Sequence, residues 1–327
     1  MTTNNHPQHD LEHPHLLSGW RFAALVTTIV LSVIGYFLFT LWGGWRDVFN
    51  AIGEIGYAGI ALGLGIALIS YFFRFTRWNY FLSVLGQRVP YFSSMRIYIS
   101  GFTLTTTPGK AGEALRSIFL KDYDIPYRTS FGALLAERFS DLIAVAVLAA
   151  GGLFIYERAR LVLLFVGLFI IFLLYAVQKD SWLQAIERWT KSKLHSRFAH
   201  VVEFMVETVI AFRSCFTPRV LLVGIFLGCI AWGLEGVILY YYLKILGNEL
   251  SIYLAIFIHA FALLIGALTL LPGGLGGAEV TMFQLLLFYG VPAGDAVTAT
   301  IVVRLSTLWF SVLIGLIALP KKQVKLR

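Results

Sequence analysis

Glu137, Arg138 and Asp141 stand together near the start of an apolar run, and Arg304 stands inside another. Glu235 is the only charge between residues 220 and 243. A charged side chain at the centre of a bilayer costs roughly 2.5–3.5 kcal/mol on insertion scales, so each of these residues needs a partner or a polar cavity. Glu137 and Asp141, four residues apart, share a helix face, with Arg138 three residues from Asp141. The planar fork of arginine suits a phosphate group. Buried ion pairing is the competing use. For Glu235 a structural hydrogen bond and a substrate contact carry equal weight. His259, alone in an apolar segment, reads as a packed neutral histidine.

Two further carboxylates flank breaks in apolar segments. LTTTPGKAGEA, Leu104 to Ala114, aligns without a gap on LTLLPGGLGGA, Leu268 to Ala278. Glu113 and Arg116 follow Pro108 and Gly109 in the first motif, and Glu279 follows Pro272, Gly273, Gly274 and Gly276 in the second. Backbone groups in hydrocarbon must be hydrogen-bonded, so a break of this kind belongs inside protein or beside a water-filled cavity. A helix restarting after the break aims free N–H groups at that cavity, which suits an anion. Capping is the alternative role for Glu113 and Glu279.

The chain that positions these residues has 327 residues, 58% hydrophobic and 13% charged, with a mean hydropathy of +0.78. Soluble domains carry about 25% charged residues. Segments near 20–42, 55–73, 131–156, 161–178, 220–243 and 296–319 are long enough to cross a bilayer. The net charge of +8 sits in clusters beside these segments, a pattern that orients a membrane protein and argues against nucleic acid as a partner. Arg74, Arg77, Arg88 and Arg96, the loop 179–219 and the basic tail 321–327 are expected on the cytoplasmic side, as are both termini. Residues 1–19 form a polar tail holding four of the seven histidines. Within 179–219, apolar residues at helical spacing from Phe198 to Phe212 predict an amphipathic helix, at the membrane interface or packed as a linker. Gly59 and Gly63 form a GxxxG expected at a close helix contact.

The broken segments 97–120 and 252–291 are awkward as full spans, because the twelve residues of 280–291 are too short to return. As re-entrant hairpins they remove the conflict with the basic C-terminus. The expected fold is therefore an all-α polytopic membrane protein of two repeats, 20–156 and 161–320. Each repeat has three spanning helices and one re-entrant hairpin broken at its Pro-Gly motif. Pro126 precedes Arg138 by twelve residues and Pro292 precedes Arg304 by twelve. An odd number of crossings makes the second copy inverted, an arrangement that places a transporter's site at the midplane.

TPGKAGEALR at Thr107 to Arg116, LLAERFSDL at Leu134 to Leu142, LLPGGLGGAE at Leu270 to Glu279 and RFTRW at Arg74 to Trp78 resemble the lysylphosphatidylglycerol synthase transmembrane-region family. The resemblance covers roughly residues 20–320 and implies movement of a phospholipid between leaflets of a bacterial cytoplasmic membrane. The aminoacyltransferase domain of two-part members has no counterpart in the sequence, so synthase activity is not carried over.

No enzyme signature, metal-ligand spacing or cofactor motif is present, and Cys215 and Cys229 suggest no disulfide framework. The first reading is a flippase or scramblase for anionic or aminoacylated phospholipids. Arg138, Arg304 and the hairpin N–H groups would hold phosphate, and the carboxylates would take a cationic headgroup or protons. A transporter of a small soluble anion is the second reading, and a lipid-modifying enzyme the third. Single cysteines placed near residues 110 and 275 should react with impermeant thiol reagents from opposite faces of the membrane. Labelling from one face only would remove the inverted repeat.

Overall fold

The computed structural model describes residues 45–106, 113, 115–152, 156–179, 196–269 and 271–319. The span expected at 20–42, the histidine-rich tail, Pro108, Gly109 and the basic tail lie outside the described residues. Among the described residues the regular structure is entirely helical, with no strand.

Helix α1, Trp45–Val84, is bent at Gly56, whose φ of 62° and ψ of 173° are not helical. It is followed by α2, Tyr91–Ser100, which continues into a 3₁₀ turn over Gly101–Leu104. Helix α3, Leu115–Leu120, restarts after the first Pro-Gly motif. Next come α4, Tyr127–Ala150; α5, Glu157–Gln178; and α6, Ser196–Ser214. Helix α7, Pro218–Ile245, precedes the second broken segment, which consists of α8, Ile252–Leu268, and α9, Gly277–Phe288. The chain ends with α10, Ala293–Arg304, a π-helical turn over Leu305–Trp309, and α11, Phe310–Ala318.

Four helical stretches among the described residues are long and apolar enough to cross a membrane: Phe49–Val84, Ala159–Gln178, Pro218–Ile245 and Ala293–Ala318. Helix α4 overlaps the segment expected at 131–156 but is not among these four. Its 24 residues would extend ~36 Å, but Arg128, Glu137, Arg138 and Asp141 make it the charged helix of the set. Helices α8 and α9 have 17 and 12 residues, ~25 Å and ~18 Å, so neither reaches across ~30 Å of hydrocarbon alone. They pack on each other at Gly266, where an added Cβ would lie 2.9 Å from the Ala278 side chain.

The second span runs further than its charge-free stretch. Arg74 and Arg77 do not mark its cytoplasmic end; they lie buried inside α1, and the helix carries on through Trp78, Phe81 and Leu82, all buried. Their charge is met by carboxylates from other helices, which removes the reason for the helix to stop there. Arg96 remains at a surface, where it donates to the carbonyls of Ala318 and Leu319 at 3.1 Å each and closes the end of α11.

Helix α6 packs on α4. Phe131 meets Phe204 and Phe139 meets Phe212 edge-on, and Arg128 pairs with Glu207 at 2.8 Å. Cys215, in the turn after α6, is 1% exposed, and burial pushes its thiol up to about 12. It is therefore un-ionised and unreactive at neutral pH.

The GxxxG is a packing device. A Cβ on Gly63 would fall 1.9 Å from the Tyr242 hydroxyl, and one on Gly59 would fall 3.1 Å from Ile245. Gly63→Ala should lower the melting temperature, because overpacking costs about 1–3 kcal/mol. Its cost should shrink in a Tyr242→Leu background. Equal costs in both backgrounds, measured by thermal unfolding in detergent, would show that this contact is not the constraint.

Candidate functional site

Among the described residues five arginines and five carboxylates meet within the helical body. The densest part joins α1, α3 and α4. Glu137, fully buried, accepts from Arg116 at 2.7 Å and from the Tyr98 hydroxyl at 2.8 Å, with Arg138 at 3.1 Å and Arg77 at 3.8 Å. Glu113 lies 3.1 Å from Arg116 and 3.2 Å from Arg138. Asp141 accepts from Arg77 at 2.5 Å and from the Trp232 indole at 2.7 Å, and its second oxygen is 3.1 Å from Arg138.

Two smaller groups lie beside this network. Arg74 approaches Glu235 at 3.5 Å, and Ser70 donates to the same oxygen at 3.3 Å. His259, with no exposed surface, has its Nε2 4.0 Å from the other Glu235 oxygen. Arg304 donates through Nε to Glu279 at 2.7 Å and through an amino group to the Gly273 carbonyl at 2.9 Å. Glu279 also accepts from the Gly276 N–H at 2.8 Å, so it serves both as a cap of α9 and as an ion partner.

Local sequence explains how such large groups fit. Gly101 leaves space for Arg116, whose Nε would lie 2.3 Å from a Cβ there, and Gly228 does the same for Arg77 at 2.7 Å. Arg116 stacks on Tyr98 at 4.0 Å, and Arg74 on Trp232 at 4.4 Å. Aromatic faces thus replace water over the guanidinium planes. In the second motif Gly273, Gly274 and Gly276 have φ of 64°, 68° and 84°, a left-handed run that only glycine adopts without strain. This turn points the Gly273 carbonyl at Arg304.

A cavity of about 280 Å³ opens onto these groups. Arg74, Arg138, Asp141, Glu235 and Arg304 form its polar part, joined by Thr105, Thr307, Ser311, Gly273 and Gly274. Leu142, Val145, Leu263, Ala267, Leu271 and Leu308 form an apolar wall, and Ala267 and Leu271 are also exposed on the outer surface.

Of the residues singled out in the sequence, Arg138, Asp141, Glu235, Gly273, Gly274 and Arg304 meet at this cavity. Arg138 and Arg304 are each twelve residues past a proline that starts a helix, Pro126 and Pro292, and they converge from different helices. Glu113, Arg116, Glu137 and Glu279 stand behind the wall in ion pairs, and Gly276 shapes the turn. Pro272 begins the 3₁₀ turn of the second motif. Arg74, Arg77, Tyr98 and Trp232 were not among the expected site residues. RFTRW carried the signal for the first two, since two arginines among aromatic residues can stack as well as snorkel.

Residues 23–315 match the family described as the lysylphosphatidylglycerol synthase TM region. The chain belongs to that family. It is 24% identical to a UPF0104 membrane protein of Pyrococcus horikoshii, over 90% of this chain and 96% of the relative. A UPF0104 membrane protein of Methanothermobacter thermautotrophicus is 25% identical over 90% of each chain. A shorter match, 31% identical over 131 residues, covers 39% of this chain and 21% of the glycosyltransferase AglD of Haloferax volcanii. The protein is thus a membrane protein whose relatives include stand-alone archaeal chains of nearly its own length.

Removing one side of a buried ion pair costs about 3–5 kcal/mol, because its partner is left charged in a dry site. Glu137→Gln and Arg77→Met should each lower the melting temperature strongly. The double variant should lose less than the two losses added together. Strict additivity in detergent-solubilised protein would show that the network is not a single electrostatic unit.

Proposed function

We propose that this protein carries a phospholipid or related lipid between the two leaflets of a membrane, as a flippase or scramblase and not as an enzyme. The observation that supports it best is the mixed character of the cavity. Guanidiniums and hydroxyls line one part, while leucines and alanines line another that reaches the outer surface at Ala267 and Leu271. A lipid has the matching polarity, a phosphate to be bound and tails that never need to leave hydrocarbon. A small soluble anion would use the arginines and have no use for an apolar exit.

In this reading the two halves, 20–156 and 161–320, are inverted repeats. Each Pro-Gly segment is a re-entrant hairpin that delivers backbone N–H groups to the midplane. The short lengths of α8 and α9 and the parallel placing of Arg138 and Arg304 support it. The membrane would be the cytoplasmic (inner) membrane of a bacterial cell, with both termini inside. Arg96 donates to the carbonyls at the end of α11, so a basic residue of the first half stands at the end of the last described helix, in line with that orientation.

Purified protein in liposomes should speed the movement of a headgroup-labelled phospholipid between leaflets, with and without an ion gradient. Arg138→Ala and Arg304→Ala should each slow it by about tenfold or more while the protein remains folded, since a hydrogen bond to a charged group contributes ≈ 1.5–3 kcal/mol. Lysine should rescue poorly at either position, because an ammonium lacks the planar fork. Phosphate uptake without lipid movement would favour the small-anion transporter. A covalently altered lipid, seen by mass spectrometry with no other protein present, would favour an enzyme.

A further inference from the structure

The cavity wall is layered by charge. Three guanidiniums face it, those of Arg74, Arg138 and Arg304, but only two of the five carboxylates do. Glu113, Glu137 and Glu279 stand behind, each within 3.1 Å of a guanidinium. Neither wall carboxylate is idle. Both oxygens of Asp141 lie within 3.1 Å of an arginine. Glu235 is held by Arg74 and Ser70, with His259 on its far side. A cationic headgroup entering here meets guanidiniums first and finds its counter-charges already engaged.

Arg74 has the loosest ion pair of the three, and it alone is held between aromatic rings that line the cavity. Its contact with Glu235, at 3.5 Å, is longer than the closest contact of Arg138 or Arg304, and its buried Nε–H has no acceptor. Its plane is fixed instead by Trp232 at 4.4 Å and Phe102 at 5.5 Å, both of which also line the cavity. Stacking orients a guanidinium without consuming its N–H donors.

We propose that Arg74 selects the headgroup. With Arg138 and Arg304 it completes a three-guanidinium receptor for the phosphate oxygens of an anionic lipid whose headgroup carries no ammonium. Aminoacylated lipids are therefore poor substrates. This deepens the lipid-transport reading and rests on it.

The test uses full-length protein in phosphatidylcholine vesicles with acyl-chain-labelled probes: phosphatidylglycerol, lysyl-phosphatidylglycerol and phosphatidylcholine. Uptake of radiolabelled inorganic phosphate is measured in parallel. Phosphatidylglycerol should cross fastest, and the lysyl probe should be slower by at least about tenfold, because like charges brought together in a dry site cost several kcal/mol. Arg74→Gln, which keeps a hydrogen-bonding side chain beside Glu235, should remove most of the phosphatidylglycerol rate and narrow the gap between the probes. Arg74→Lys retains the charge but loses the fork, and should fall between.

A lysyl probe that crosses as fast as phosphatidylglycerol overturns the selectivity, and Glu235→Gln then shows whether Glu235 receives the ammonium. Wild-type rates from folded Arg74→Gln and Arg74→Lys overturn the role of Arg74. If neither variant folds, the wild-type probe ratio alone decides. If no lipid moves at all, the lipid-transport reading fails whatever the phosphate uptake shows.

Discussion

Charge neutrality inside a dry helical body is the constraint on which the rest of this structure depends. Among the described residues Arg74, Arg77, Arg116, Arg138 and Arg304 are matched by Glu113, Glu137, Asp141, Glu235 and Glu279, five against five. Their partners lie mostly on other elements: α1 reaches α4 and α7, α3 reaches α4, and α10 reaches the start of α9. A network of this kind is not there for stability, since a well-packed apolar core of the same volume would do as well or better. It fixes which helices stand side by side, and it surrounds a cavity with donors that cannot drift away.

The same constraint accounts for the local sequence around each arginine. A guanidinium withdrawn from water needs acceptors in its plane and something polarisable above it. The first come from carboxylates. The second come from Trp78, Tyr98, Phe102 and Trp232, which lie over Arg74 or Arg116 at 4.0 to 5.7 Å. Helix backbones must also spread apart or lose side chains to admit the arginines, and at Gly101 and Gly228 side chains are lost. Beyond Arg304, the π-helical turn over Leu305–Trp309 shifts the helix register. The turn places the Thr307 carbonyl where the Tyr71 hydroxyl donates to it. The far wall of the cavity is thereby tied to α1.

Much of this was legible from residue types. Apolar runs gave the long helices, and the Pro-Gly motifs gave the break before α9. The twelve-residue spacing from Pro126 and Pro292 identified Arg138 and Arg304 as a pair that meets. Arg74 and Arg77 were misplaced because a rule based on counting charges treats every arginine next to an apolar run as a surface marker. Their carboxylate partners are 161 and 64 residues away in the chain, respectively, and no local pattern announces them. The carboxylates Glu113 and Glu137 were legible as intramembrane charges, but their position behind the wall follows from helix packing alone. Glu279 was expected either as a cap or as a functional group. It caps Gly276, and it also pairs with Arg304, a contact that neither alternative had named.

A carrier site must hold its substrate long enough to turn it and weakly enough to let it go. The arrangement around Arg138 meets both demands through sharing. One amino group of Arg138 lies 3.1–3.2 Å from Glu113, Glu137 and Asp141 together, so none of the three depends on it alone. A phosphate arriving in the cavity competes for a donor whose carboxylates keep Arg116 and Arg77 as partners. Under the proposed function such an exchange would leave no buried charge stranded, and its free energy would be the difference between the ion contacts given up and those gained, not the full strength of one. An isolated arginine in hydrocarbon would bind phosphate far more tightly and release it far more slowly. If the cavity takes a phosphate as proposed, the carboxylates behind the wall would tune the affinity of the arginines in front of them.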